Sequence, residues 1–169
     1  MIRAFEGKTP NIAKSAYVAT NVTLIGDVNI GDDASIWFQS VLRADINSIS
    51  IGAKTNIQDG CMLHITKKHP LVVGERVTVG HGAILHGCTI ASDCLIAMGT
   101  IILDGAVIEE RCIIGAGTVV PPGMTIKSGS LALGSPAKVI RELTRDDIER
   151  IDQGWRNYID YARRFALSE

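Results

Sequence analysis

The sequence predicts an all-β solenoid, a parallel β-helix of six-residue repeats closed by one C-terminal α-helix. Three observations predict it. Aliphatic residues recur every six positions at Ile12, Val18, Leu24, Ile30, Ile36 and Leu42, then at Ile51, Ile57 and Leu63, and again at Val73, Val79 and Leu85. After a one-residue contraction they run on through Ile90, Ile96, Ile102, Ile108, Ile114, Val120 and Ile126. Four residues after most of them stands a small or β-branched side chain, such as Ala34, Ser40, Thr55, Cys61, Ala83, Cys94 and Thr100. Glycine often follows the aliphatic directly, as at Gly31, Gly52, Gly74, Gly80 and Gly115. A helix repeats at 3.6 and an alternating strand at two, so neither sustains this beat. Three hexapeptides do close one triangular coil of a stacked prism.

Each part of the pattern has a place in such a prism. The aliphatic residue points inward and fills the axis, the small residue fits the corner, and glycine permits tight backbone. Successive coils then pair their strands about 4.8 Å apart. The beat stretches to nine residues between Leu42 and Ile51, which predicts a bulge around Asn47–Ser50. It stretches to ten between Leu63 and Val73, which puts four extra residues within Thr66–Pro70. The prism is predicted for residues 1–142, its repeats ending near Ser130, with Gly134-Ser135-Pro136 turning the chain out. Residues 143–169 are predicted as a helix packed back along the prism within the same single domain. Thr144 is its N-cap, and Asp146 and Asp147 sit in its first turn. Ile148, Ile151, Trp155, Tyr158, Ala162 and Phe165 form its apolar stripe.

Composition narrows the function. Seventeen basic against 18 acidic residues leave a net charge of −1, which argues against a nucleic-acid binder working by phosphate neutralisation. No apolar run approaches the length of a membrane span. The start, MIRAFEGKTP, lacks a signal-peptide apolar core, so a cytoplasmic location is expected. Cys61, Cys88, Cys94 and Cys112 form no CxxC pair, and three of them occupy small-residue positions of the repeat. Buried free thiols are the expectation.

The hexapeptides starting at Leu42, Leu63 and Leu85 are the sixth, ninth and twelfth, so three per coil stacks them on one face. The residue after the aliphatic in each is Arg43, His64 and His86, an outward polar column that ends at apolar Leu103. On the neighbouring face, Asp59 and His81 hold the third positions of stacked hexapeptides. His64 and His86 stand on adjacent coils, close enough to share a metal through bonds of about 2.1 Å. His81 is five residues from His86 along a path of up to roughly 16 Å, so it reaches the same ion only from a second chain. A trimer of prisms satisfies that requirement. His69, in the inserted loop, is read as exposed, with proton transfer as a secondary role.

The segments VLRAD, TNIQDG, the following Leu-His and VTVGHGAILHGC resemble the γ-class carbonic anhydrases and their shorter bacterial relatives. The resemblance runs from about Lys8 to Phe165 and includes the GSPAKVIREL exit. It implies a left-handed β-helix, a homotrimer, and zinc between subunits, with iron or cobalt as alternatives. His64 and His86 of one subunit and His81 of the next would be the ligands. The resemblance also assigns Arg43 and Asp59 to an intersubunit ion pair and Asp45 to orienting the interface. Gln58 would stand beside the reactive water, and Tyr158 would reach the pocket from the helix. Two departures stand out. Ala44 replaces a usual glycine, and the glutamate shuttle of some members has no counterpart among Asn47, Ser48, Lys67, Lys68 and His69.

An open three-histidine zinc lowers the pKa of its water to about 7, giving a nucleophile for carbon dioxide at neutral pH. Reversible hydration of carbon dioxide to bicarbonate is therefore the expected reaction. Three rivals remain. A hexapeptide acyltransferase would use one histidine as general base. An acyl-CoA thioesterase would use the same metal, and a non-catalytic scaffold would keep it as a staple.

Overall fold

In a computed structural model, which describes residues 1–168, the chain forms a parallel β-solenoid followed by one helix. Glu169 lies outside the described residues. The strands stack in three columns. One face holds Ile2–Arg3, the first parts of Thr23–Ile30 and Val41–Ile51, then Met62–His64, Ile84–His86, Ile101–Ile102 and Val119–Val120. A second face holds Asn11–Ile12, the ends of those two long strands, Leu71–Val73, Thr89–Ile90, Val107–Ile108 and Thr125–Ile126. The third runs from Tyr17–Val18 through Asn56–Ile57 and Thr78–Val79 to Ser130–Leu133. Ile2–Arg3, which pairs with Leu24 and Ile25, is an extra strand that precedes the first repeat.

The aliphatic beat is the axis of the prism. Leu24, Ile36, Leu42, Ile57, Leu63, Leu85, Ile96, Ile102 and Ile126 are all at most 1% exposed. Burying each such side chain contributes about 1.5–3 kcal/mol. Corner hydroxyls are buried yet bonded to the next coil: Ser40 Oγ donates to the Gln58 carbonyl and Thr55 Oγ1 to the Gly74 carbonyl, each at 2.7 Å. These bonds offset the desolvation of a buried hydroxyl. Thiols do the same work at other corners, Cys61 Sγ donating to the Gly80 carbonyl at 3.3 Å and Cys112 Sγ to the Lys127 carbonyl at 3.1 Å. All four cysteines are buried and unbridged. Burial pushes the Cys61 thiol up to about 11 and the Cys88 thiol to about 12.

Two glycine positions differ in their reason. Gly82, before the corner residue Ala83, has φ +67° and open space around it. Gly80 has no such dihedral, but a Cβ there would lie 2.5 Å from the Met98 amide nitrogen on the next coil. The first glycine serves the turn and the second serves coil-to-coil contact.

The first inserted segment lies slightly earlier than the spacing suggested. Ala44 pairs with Gly26 and Ile49 with Val28, so Asp45–Ser48 bulge while Ser50 is back in register opposite Asn29. The chain exit also differs. It does not leave the prism at Gly134 but turns back, through a cis Ser135–Pro136 bond, as the antiparallel strand Lys138–Glu142 on Ser130–Leu133.

The helix spans Arg145–Ala166. Thr144 caps it with a reciprocal box, its hydroxyl accepting from the Asp147 amide while Asp147 accepts from the Thr144 amide. Arg141 beside Asp147, together with those Thr144 bonds, holds the Asp147 carboxyl well below the usual range. The helix runs back over the third face. Ile151 and Ala162 are buried, Gly154 meets Thr78, and Tyr158 packs edge-on against Trp37 with ring centroids 5.3 Å apart. Ile148, expected in the packing stripe, is 37% exposed, and the closest approach of helix to prism is at Gly154 against Thr78.

Candidate metal centre

The strands Met62–His64 and Ile84–His86 pair with His64 directly opposite His86. Leu63 and Leu85 anchor this pair of strands from inside, each at most 1% exposed. Their outward neighbours therefore meet: His64 Nδ1 lies 3.0 Å from His86 Nε2. The far nitrogen of each ring faces a carboxylate. Asp45 Oδ1 lies 3.1 Å from His64 Nε2, and Asp104 Oδ1 contacts His86 Nδ1.

These partners decide what the facing nitrogens are. A carboxylate accepts, so it holds a proton on the ring nitrogen it touches. In neutral rings that leaves His64 Nδ1 and His86 Nε2 as bare lone pairs, pointed at each other at 3.0 Å. Two lone pairs at that distance repel unless a cation lies between them. Nitrogens bound tetrahedrally to one zinc at about 2.1 Å stand about 3.4 Å apart, close to what is seen. Carboxylates behind the rings are also the usual outer partners of ligating histidines. The donor set therefore fits a metal ion.

The remaining candidates form a second group around the corner. His81 is half-exposed, with Asp59 Oδ2 2.9 Å from its Nδ1. Gln58 is buried, its Nε2 donating to Asn56 Oδ1 at 3.1 Å, while Asn56 donates to Thr78 Oγ1 at 3.0 Å. Tyr158 overhangs this group. Burial, and then the charge of Asp59, push its phenol up to about 12. Arg43 donates to Asp45 within the chain, so its guanidinium and the His64 ring share one carboxylate. The Asp45 carboxyl is held below its usual value: burial raises it, but the His64 and Arg43 bonds outweigh that. Among the described residues, no three His, Cys, Asp or Glu side chains of one chain converge as a ligand set.

Comparison with known proteins decides the family. A model described as bacterial transferase hexapeptide (six repeats) matches residues 87–122. A carbonic anhydrase of Geobacillus kaustophilus is 50% identical over 95% of this chain and 88% of its own length. A protein of Methanocaldococcus jannaschii named as a probable carbonic anhydrase is 49% identical, covering 88% of this chain and 93% of its own. Gamma carbonic anhydrase 1 of Arabidopsis thaliana is 42% identical, and this chain spans 60% of its length. The chain belongs to the γ-class carbonic anhydrase-like family. Among solved structures, a Bacillus cereus protein provisionally named an acetyltransferase superposes with a TM-score of 0.98 at 45% identity, covering 99% of this chain and 98% of that one.

Two site features of this family member escaped sequence reasoning. Asp104 stands 18 residues after His86, one coil further on, a signal that following only the second-position column passed over. His69 is half-buried, not exposed, because its loop folds inward. Its amide donates to Thr66 Oγ1 at 2.9 Å, and its ring lies against Gly105.

Proposed function

We propose that this chain is a zinc-dependent carbonic anhydrase working as a homotrimer, with a metal centre between subunits. The observation that supports it most is the pair of facing ring nitrogens of His64 and His86, 3.0 Å apart with a carboxylate behind each ring. His81 of a neighbouring subunit would complete the set. Asp59 beside its Nδ1 leaves Nε2 as the donor that faces away. The two residue groups lie on different faces of one prism, so one chain's first group must meet another chain's second. Closed rings of identical chains build such head-to-tail contacts.

Bound there, zinc would lower the pKa of a water to about 7. In the overall reaction, the water oxygen forms a bond to the carbon of carbon dioxide, one carbon–oxygen π bond opens, and a proton leaves with bicarbonate as product. Met62, Ile84 and Val41 make the cleft beside the histidines apolar, which suits carbon dioxide. Gln58, fixed by Asn56, would orient a substrate oxygen by hydrogen bonding. Tyr158 stays a neutral donor at neutral pH, its phenol held near 12. Arg43 holds Asp45 against His64, so that ring keeps its proton on Nε2.

Acyl transfer, suggested by the Bacillus cereus protein's provisional name, needs one histidine base and leaves the second unexplained. Metal quantitation with a carbon dioxide hydration assay tests the reading. Wild type should hold about one zinc or iron per chain, lose most of it on His81→Ala or His86→Ala, and be a trimer by native mass spectrometry. Its activity should rise with pH around about 7 and increase with imidazole buffer, which replaces the missing glutamate shuttle. Metal-loaded wild type no faster than His64→Ala at every buffer level would overturn the assignment, leaving thioesterase or scaffold.

A further inference from the structure

The two carboxylates behind the histidines are not equivalent. Asp45 divides its oxygens between Arg43 and His64. Asp104 gives Oδ1 to His86 Nδ1, on a turn that the backbone fixes from both sides. The Gly105 amide donates to the Gly87 carbonyl at 2.7 Å, and the Gly87 amide to the His64 carbonyl at 3.0 Å. Three consecutive coils are thus tied together beside the facing rings. Glycine at position 87 leaves no room to spare, since a Cβ there would lie 3.2 Å from Asp104 Oδ1 and 3.1 Å from His69 Cβ. The inserted loop that carries His69 therefore closes over the same turn.

We propose that Asp104 is the positioning residue of the metal centre. By accepting the Nδ1 proton of His86, it holds that ring in the tautomer that presents Nε2 to the ion. It also prevents the ring from flipping, because the flipped ring would set its Cδ2–H edge against the carboxylate and lose the Nδ1 hydrogen bond. In a free imidazole the other tautomer, with its proton on the opposite nitrogen, competes. The inference rests on the metal-centre reading and names the residue that makes it selective for one ring nitrogen.

The test is zinc competition against a chelator, run on zinc-loaded wild type, Asp104→Ala and Asp104→Asn. Loss of such an outer partner typically weakens metal binding about 10–100-fold, and Asp104→Ala should do so. Asp104→Asn keeps an oxygen that accepts the same proton, so its affinity should fall between the two. Nitrogen-15 spectra of histidine-labelled, zinc-free wild type should show the neutral His86 ring protonated at Nδ1, and Asp104→Ala should move it towards the other tautomer, a signature that a purely structural role would not set. The wild-type spectrum and Asp104→Asn decide the matter even where Asp104→Ala does not fold. Equal zinc affinity in wild type and both variants, or a bare His86 Nδ1 in wild type, overturns the role of Asp104. A wild type that holds no zinc at all overturns the metal centre itself and the inference with it.

Discussion

His81 stands between two glycines that do different work, and substituting each separates coil contact from turn geometry. In Gly80→Ala the new Cβ would lie 2.5 Å from the Met98 nitrogen, 2.8 Å from the Ala97 carbonyl carbon and 3.0 Å from the Met98 Cα. All three are backbone atoms of the next coil, held in a parallel ladder by Val79 opposite Ile96. No side chain can swing aside, so the coils must part locally. Overpacking of this kind costs about 1–3 kcal/mol. For a chain of this length each kcal/mol lowers the melting temperature by about 2–4 °C, so a fall of about 2–12 °C is expected. Gly82→Asn is the contrasting change. Gly82 has φ +67° and nothing within 4 Å of a Cβ, and asparagine tolerates that conformation. Its melting point should stay within about 2 °C of wild type. Thermal unfolding followed by circular dichroism on matched preparations gives both numbers. If Gly80→Ala melts with wild type while Gly82→Asn falls, coil spacing is not what this repeat glycine protects.

Two further outcomes follow from the same structure. Leu85 is fully buried between Leu63 and Ile102 and directly precedes His86, so Leu85→Ala should cost about 2–5 kcal/mol by chemical denaturation and weaken zinc retention in a chelator assay. Tyr158, ionising at about 12 in the fold against about 10 in the unfolded chain, contributes stability that is intact below about pH 10 and lost as pH rises from there towards 12. The melting temperature of wild type should therefore drop more than that of Tyr158→Phe between about pH 8 and about pH 11.

The prism was legible because one side chain in six must be aliphatic to fill its axis, and no other regular structure imposes that period. Thr144 and Asp147 were equally readable, since a capping box is a local arrangement with a sequence spacing of its own. The bulge at Asp45–Ser48 was harder to place. The spacing between Leu42 and Ile51 counts extra residues but says nothing about which of them resume pairing, and Ser50 resumes with Asn29. The return strand Lys138–Glu142 breaks the hexapeptide rule altogether and is read only from its pairing with Ser130–Leu133.

At the site, the sequence yields whatever depends on register and loses whatever depends on reach. His64 opposite His86 follows from counting hexapeptides across the four-residue insertion, and the ladder pairs them so. The partners of these rings do not follow, because Asp45 arrives from a bulge and Asp104 from a third-position site one coil on. Gln58 is the clearest instance. Its place in the repeat predicts an outward side chain, yet the helix covers that face, and Asn56 takes its amide instead of water. A solenoid makes one coordinate, the coil number, easy to read. Chemistry here depends on the other two, around the prism and across to a neighbouring chain, where insertions and the C-terminal helix decide which outward residues meet.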